Sequence, residues 1–251
     1  MKKQLRSDVL KIIAMVFMLI DHIGSIIVER IYFNTSDYDA AMRLYHLDVV
    51  LRSIGRIAFP IFCYQLVMGF DYTKNRVAYV RNLFIFALTS EIPFDLMGKG
   101  VFFDFSHQNT IFTLLIGAIL ISIFERYHNP AIMVSATVAL SAFAYFCHTD
   151  YGAKGILLIA IIYFFKNNKV LLVELGPALF MLVIFVVTLL TEKNMHATVK
   201  YCEFECYAIL AFFLMYLDNG ERRFGKWFKR LGYWFYPAHM LVIYFVSLAI
   251  S

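Results

Sequence analysis

The sequence predicts an all-α protein, a polytopic bundle of membrane-spanning helices. Of its 251 residues, 61% are hydrophobic and 16% are charged, whereas a soluble domain is roughly 45–50% apolar and 25% charged. The mean hydropathy is +0.68. Apolar runs close to the ~20 residues that cross a bilayer as helix recur along the chain without a long polar insertion. We therefore expect one integral membrane domain covering residues 1–251.

The apolar runs define nine candidate spans in chain order. The sixth and eighth are short, so eight spans is the competing count. With the N-terminus in the cytosol, lysines and arginines concentrate in alternate loops while the outer loops are nearly balanced, as the positive-inside rule requires. The net charge of +5 is therefore interpreted as topology information, and no nucleic-acid partner is predicted. The predicted spans cover residues 9–29, 48–70, 77–97, 109–126, 131–147, 153–167, 170–191, 204–217 and 232–250.

An acid and an imidazole stand side by side in the first span, "KIIAMVFMLIDHIGSIIV". An ionisable group at membrane depth costs at least ~2.5–3.5 kcal/mol on insertion scales, so it normally faces a cavity and has a partner. Asp21 and His22 lie ~18–20 Å from the start of that helix, counting ~1.5 Å per residue. Adjacent helical residues point ~100° apart, so one stray partner does not satisfy both. The pair is the strongest sequence indication of a functional site.

Other polar groups fall at a similar depth in later spans, so we expect a polar layer in the outer half of the bundle. A purely structural interpretation stays open for several of them. Arg52 and Arg56 share a helix face and could be neutralised by Glu91 and Asp95. An interfacial role is the alternative for Asp95, Gln108 and Asn109. His239 could be a core histidine that hydrogen-bonds a backbone carbonyl.

Lys11 and His22 share one face of the first helix. Eleven steps of ~100° return to within ~20° of the starting direction, which places the two side chains ~16 Å apart along the axis. A cation at the membrane surface with an imidazole deeper on the same face suits a long ligand such as acyl-coenzyme A, with its phosphates near the cytosol. The alternative is that Lys11 is an interfacial anchor.

The motifs resemble, in order and over nearly the whole chain, those of the TraX family, named for the conjugal protein that N-acetylates pilin. That family is grouped with the acyltransferase 3 class of membrane acetyltransferases. The class carries a basic residue followed after ten residues by an essential histidine in its first helix, which correspond here to Lys11 and His22. Its acidic-x-x-arginine element has no match in the third helix, and Arg56 is the candidate substitute. The motifs are "LKIIAMVFMLIDHIG", "GRIAFPIFCYQLVMGFDYTKN", "FALTSEIPFDL", "NTIFTLLIGAILI", "DYGAKGILLI", "NGERR" and "FYPAHMLVIY".

The resemblance implies an enzyme of the bacterial inner membrane that takes acetyl-CoA as donor and a peptide, pilin or envelope glycan as acceptor. His22 would be the general base, with Asp21 or Glu91 holding its tautomer and Arg56 stabilising the oxyanion. No metal site is predicted. A proton- or cation-coupled transporter with an Asp, His and Glu relay is the alternative. The candidate donor-binding residues are Lys11, Arg52, Arg222 and Arg223, and the candidate acceptor-binding residues are Asp95, Asn109 and His239.

Overall fold

The computed structural model describes residues 5–250, without the side chains of Lys226, Lys229 and Arg230. Helices make up most of this part of the chain, which confirms the all-α class. The helices are α1 (Ser7–His22), a π-helical turn (Ile23–Val28), α2 (Glu29–Asn34), α3 (Tyr38–Gly55), α4 (Ala58–Asp71), α5 (Arg76–Lys99), α6 (Thr110–Arg126), α7 (Pro130–Phe146), α8 (Gly152–Phe165), α9 (Lys169–Glu192), α10 (Met195–Glu205), a 3₁₀ turn (Cys206–Ala208), α11 (Ile209–Leu217) and α12 (Lys226–Ala249).

Each of the nine predicted apolar runs coincides with one or more helices, to within two residues at its ends. The first run is divided among α1, the π-helical turn and α2, the second between α3 and α4, and the eighth among α10, the 3₁₀ turn and α11. By length and composition, four helical segments of the described chain are apolar enough to cross a membrane, and α7 and α8 are shorter apolar helices. The counts of nine or eight spans and the cytosolic N-terminus stay predictions. The four segments are Ser7–Asn34, Tyr38–Asp71, Lys169–Glu192 and Leu231–Ala249.

Asparagine side chains start many of these helices. At the N-cap, a side-chain carbonyl accepts from backbone N–H groups of the first turn that have no partner within the helix. The residue after one of these caps is Pro130, whose missing N–H costs nothing at the first helical position. Short polar connections therefore suffice to restart each helix. The capping residues are Asn75, Asn109, Asn129, Asn168 and Asn194.

The first two predicted spans are longer than their apolar patterns indicated. The first continues beyond residue 29 to Asn34 as α2, and the second begins at Tyr38 instead of residue 48. The added turns are rich in polar residues, and α2 packs against α3. Hydropathy missed these turns because their stability comes from this pairing and not from burial in hydrocarbon.

The second segment is interrupted at Arg56 and Ile57, between α3 and α4. Pro60 follows four residues after Arg56 and has no N–H, so the Arg56 carbonyl cannot receive a normal helical hydrogen bond. The break therefore has a local cause in "GRIAFP". It places Arg56 at a helix junction, in the interior of the bundle.

The core is centred on α4 and α6, which bury most of their side chains against α1, α5 and α8. In contrast, α7 buries only Ser141 and Ala144. Helix α9 buries one stripe with a spacing of four and leaves other apolar residues exposed. Apolar helices exposed in this way match a hydrocarbon surrounding. The buried stripe of α9 is Leu172, Gly176, Phe180, Ile184 and Thr188.

The start of α1 is tied to the segment before α12. Backbone N–H groups of Leu5 and Asn219 donate to carbonyls of Leu217 and Leu5, at 3.2 and 2.7 Å. The Asp8 carboxylate accepts from the backbone N–H groups of Arg223 and Phe224. The "NGERR" motif is thereby held against the first turn of α1, close to Lys11.

Candidate functional site

His22 at the end of α1 forms a direct pair with His239 of α12. Nδ1 of His22 lies 2.8 Å from Nε2 of His239, and the two rings are stacked with an interplanar angle of 5°. Nδ1 of His239 lies 2.8 Å from the Phe235 carbonyl, one turn earlier in α12. The structural interpretation of His239 as a core histidine bonded to a carbonyl is thus correct, but that bond accounts for only one of its nitrogens.

This hydrogen-bond chain determines the tautomers of both neutral rings. A carbonyl only accepts, so Nδ1 of His239 carries the proton and its Nε2 is the acceptor. Nδ1 of His22 must then donate to that Nε2, which leaves the lone pair of the His22 Nε2 available. No group within the described residues hydrogen-bonds to His22 Nε2. The prediction that Asp21 or Glu91 holds the His22 tautomer is therefore wrong, because His239 takes that position.

Asp21 is the counter-ion of Arg56. Arg56 Nη2 lies 2.8 Å from Asp21 Oδ1, and its Nη1 lies 3.3 Å from Oε1 of Glu205 at the end of α10. The guanidinium also lies 5.2 Å from the centre of the Phe204 ring. Desolvated ion pairs need such geometry to offset the loss of water. Asp21 is therefore the ion-pair partner of Arg56 and does not orient His22.

Arg52 lies on the far side of His22 from Lys11. Its Nη1 is 3.7 Å from Oε2 of Glu29, which is seven residues beyond His22 along the first segment. Arg52, one of the predicted donor-binding residues, therefore lies apart from the cavity that Lys11 lines. The alternative that Glu91 and Asp95 neutralise the two arginines is wrong, because Arg52 and Arg56 have other partners.

Glu91 and Asp95 accept hydrogen bonds from the start of α6 and from the loop before it. The Asn109 side chain donates to the Ala87 carbonyl, at 2.9 Å, and to Glu91 Oε2. Asp95 accepts from the backbone N–H of Asp104 at 2.8 Å. Asp95 and Asn109 thus have the structural roles that the sequence left open. One Glu91 oxygen, Oε1, is buried and makes no hydrogen bond to the described residues.

A second polar cluster lies in the loops before α6 and α8. Asp150 accepts from Thr110 Oγ1 and lies 3.2 Å from Nε2 of His107. The hydrogen bond to Asp150 raises the pKa of His107. Burial tends to raise the pKa of Asp150, but its hydrogen bonds with His107 and Thr110 outweigh this and the pKa lies below its ordinary value. The two groups therefore form an ion pair at mildly acidic pH.

A cavity of about 420 Å³ runs along α1 from its first turn toward the histidine pair. Its lining follows one face of α1 through Lys11, Met15 and Met18. His22 is the next residue on that face, at the i+4 position. Arg222 also lines the cavity, whereas Arg223 is exposed and pairs with Glu221 at 3.3 Å. The structure brings two of the four predicted donor-binding residues together, Lys11 and Arg222.

Sequence comparison connects these features with a known family. The family model described as "TraX protein" matches residues 6–247. The chain belongs to the TraX family. A probable fimbrial assembly protein FimC, serogroup H1, from Dichelobacter nodosus is 24% identical over 168 residues, which are 64% of this chain and 63% of that protein. The match therefore spans less than two thirds of that relative. No solved structure matches the chain significantly.

Sequence reasoning missed three acids that shape this TraX-family site. Glu205 lies inside the predicted span 204–217. An acid at membrane depth indicates a partner, so the signal for Glu205 was the same as the signal for Asp21. Asp150 lies in the "DYGAKGILLI" motif, but its neighbours come from another loop. Asp8 lies one turn before Lys11. Only the folded chain shows that it binds the backbone of the distant "NGERR" motif.

Proposed function

We propose that this TraX-family protein is a membrane acetyltransferase that moves an acetyl group from acetyl-CoA to an amine or hydroxyl of an acceptor at the membrane. The observation that carries the proposal is the chain from Phe235 through His239 to His22, which leaves Nε2 of His22 as a proton acceptor. General-base histidines contribute about 10²- to 10⁴-fold to rate.

In this mechanism His22 removes a proton from the attacking amine or hydroxyl while the new bond to the acetyl carbon forms. His239 keeps the His22 proton on Nδ1 and stabilises the imidazolium that His22 becomes. Acetyl-CoA supplies the thioester carbonyl and the thiolate that leaves. Asp21 does not touch His22 in this scheme and acts by holding Arg56.

The cavity along α1 fits the donor. Its volume is within the roughly 300–1,000 Å³ of typical ligand pockets. Apolar side chains of Met15 and Met18 suit a thin alkyl amide arm, and Lys11 with Arg222 suits phosphate groups. The bound donor would present its acyl end one helical turn from His22, with its phosphates at the end of the cavity that we place in the cytosol.

Arg56 is proposed as a positioning residue. Its two Nη atoms already face two carboxylates, Asp21 and Glu205, which disfavours the oxyanion role suggested by the sequence. The three side chains connect α1, the junction before α4, and α10. They therefore fix the end of α1 that carries His22.

The acceptor is proposed to be a peptide or pilin at the bacterial inner membrane. The Dichelobacter nodosus relative is named as a fimbrial assembly protein, which favours a pilin over an envelope glycan. An amine acceptor must lose a proton during transfer, and His22 Nε2 takes it. Mass spectrometry of surface peptides and envelope polymers, comparing a strain that lacks the protein with its parent, would identify the molecule that loses an acetyl group.

The direct test is transfer from labelled acetyl-CoA by the purified full chain, using the acceptor found in that comparison. We expect acetyl-CoA to raise the midpoint of thermal unfolding of both the wild type and His22→Ala, and label transfer to be lost only in the variant. Wild-type levels of transfer by a folded His22→Ala protein contradict the catalytic assignment. Proton flux in vesicles without stabilisation by acetyl-CoA favours the transporter alternative.

A further inference from the structure

A second concave site lies on the outside of the bundle, between α5 and α6. It is a groove of about 700 Å³ that shares no residue with the cavity along α1. Its walls are apolar and include Phe84 and Ile119, while its head carries Arg76, Arg81 and Arg126. Nothing in the acetyl transfer described above uses this groove.

The charges at the head of the groove are not balanced by the protein. Glu125 is the carboxylate among the lining residues, and its oxygens are within 3.3 Å of Arg76, Lys166 and the Tyr163 hydroxyl. Arg81 and Arg126 are exposed and have no carboxylate partner in the described part of the chain. Arg126 only lies over the Tyr127 ring, at 5.5 Å from its centre.

The walls extend from this cationic head along the apolar surface of α5 and α6. Phe84 is 47% exposed and Ile119 is 37% exposed. Phe84 lies about one turn beyond Arg81 on α5, and Ile119 lies about two turns from Arg126 on α6. In water this would be an unfavourable apolar patch. At the edge of a bilayer, the same arrangement places arginines at headgroup depth and the apolar walls against acyl chains.

We propose that the groove binds one anionic phospholipid. Arg81 and Arg126 bind the headgroup phosphate, and the acyl chains lie along Phe84 and Ile119. Arginine suits this role because its planar guanidinium donates two parallel hydrogen bonds to phosphate oxygens. Glu125 holds Arg76 at the rim and leaves the other two arginines for the lipid. The site depends on the membrane setting and is independent of acetyl transfer.

The test compares phosphatidylglycerol with phosphatidylcholine carrying the same acyl chains, added to the detergent-purified full chain. Native mass spectrometry measures the retained lipid, and thermal unfolding measures stabilisation. We expect selective retention of phosphatidylglycerol, and we expect Arg81→Gln and Arg126→Gln each to weaken it by about fivefold, since a basic residue near an anionic surface contributes about 1 kcal/mol. Arg43→Gln, an exposed arginine on α3, is the matched control and should behave as wild type.

Ile119→Trp keeps both arginines but fills the groove, so it should reduce retention of both lipids. Comparison with the arginine variants separates the effect of blocked acyl chains from the effect of lost charge. Equal retention of the two lipids by the wild type overturns the proposal, as does phosphatidylglycerol binding by the folded Arg81→Gln/Arg126→Gln protein at the wild-type level. Acetyl transfer measured in the same detergent should be unchanged in these variants.

Discussion

Nδ1 of His22 donates a hydrogen bond to Nε2 of His239, 2.8 Å away and 217 positions later in the chain. This hydrogen bond joins the end of α1 to α12. It also replaces a carboxylate by a neutral imidazole as the group that orients the candidate base. Because the His239 ring is neutral, it adds no further buried charge beside Arg56 and its partners Asp21 and Glu205.

The first prediction concerns His239 as a positioning residue. In His239→Leu the Nδ1–H of His22 loses its acceptor, so the base nitrogen is no longer specified. We expect kcat to fall about 100-fold or more while KM for acetyl-CoA stays near the wild-type value. Steady-state kinetics over a range of pH would measure both effects and the shift in the pH–rate profile.

The matched variant is His239→Gln, whose side-chain carbonyl can still accept from His22 Nδ1. It should recover part of the rate lost in His239→Leu. A merely structural His239 would lower kcat, raise KM and reduce thermal stability together in both variants, which would contradict the positioning role.

The second prediction tests the close approach of α1 and α3 at Gly55. A Cβ at Gly55 would overlap the Asp21 side chain, including its Cβ atom. Rotation of the Asp21 side chain therefore cannot relieve the clash, and the two helices must move apart. We expect Gly55→Ala to destabilise the protein by about 1–3 kcal/mol, the usual cost of overpacking, and to lower the midpoint of thermal unfolding.

Gly98→Ala is the control for this substitution. A Cβ there meets nothing within 4 Å, and alanine favours a helix by up to about 1 kcal/mol relative to glycine. Its unfolding midpoint should equal or exceed that of the wild type. If both glycine variants behave alike, the packing explanation for Gly55 is incorrect.

The third prediction separates two neighbouring arginines. Arg222 lines the cavity with Lys11, whereas Arg223 points elsewhere and is 69% exposed beside Glu221. Losing a charge-assisted hydrogen bond costs about 1.5–3 kcal/mol, and exposure reduces this, so Arg222→Gln should raise KM for acetyl-CoA about fivefold to tenfold. Arg223→Gln should change KM by less than about twofold. Isothermal titration would show whether the dissociation constants for acetyl-CoA follow the same order. Equal effects of the two substitutions would contradict a donor site in the cavity.

The fourth prediction concerns pH and the loop pair of His107 and Asp150. The pKa of His107 is raised above its ordinary 6.5 by its hydrogen bond with Asp150, so its contribution to stability is full below pH 6.5 and is lost as pH rises through the raised value. The pKa of Asp150 is lowered below 3.8, so its contribution is present above that pH and is lost on acidification. Both contributions are present between the two ordinary values.

Thermal unfolding between about pH 5.5 and pH 8 measures this dependence. The wild type should lose stability with rising pH relative to His107→Asn, in which the titrating group is absent. Subtracting the two curves removes the effects of other titrating groups. A difference that grows with rising pH would show that the sign of the His107 contribution is incorrect.

Much of the helical pattern was readable from local properties. Apolar runs located the helices, and "GRIAFP" contained the cause of the break after Arg56, although only the structure made that break evident. The polar extension from Tyr38 was missed because its stability depends on contact with α2. Lys11 and His22 lie in one helix, α1, as predicted, and the cavity follows the face of that helix that carries Lys11, Met15 and Met18.

The sequence by itself identified most of the ionisable groups that lie in apolar segments, with Glu205 as the exception, because hydropathy and helical rise are properties of a single segment. The tertiary structure alone decided their partners. Asp21 and His22 are adjacent, yet Asp21 pairs with Arg56, which also pairs with Glu205, and His22 meets His239. Those choices depend on how distant helices rotate and cross, and side chains ~100° apart on one helix necessarily face different neighbours.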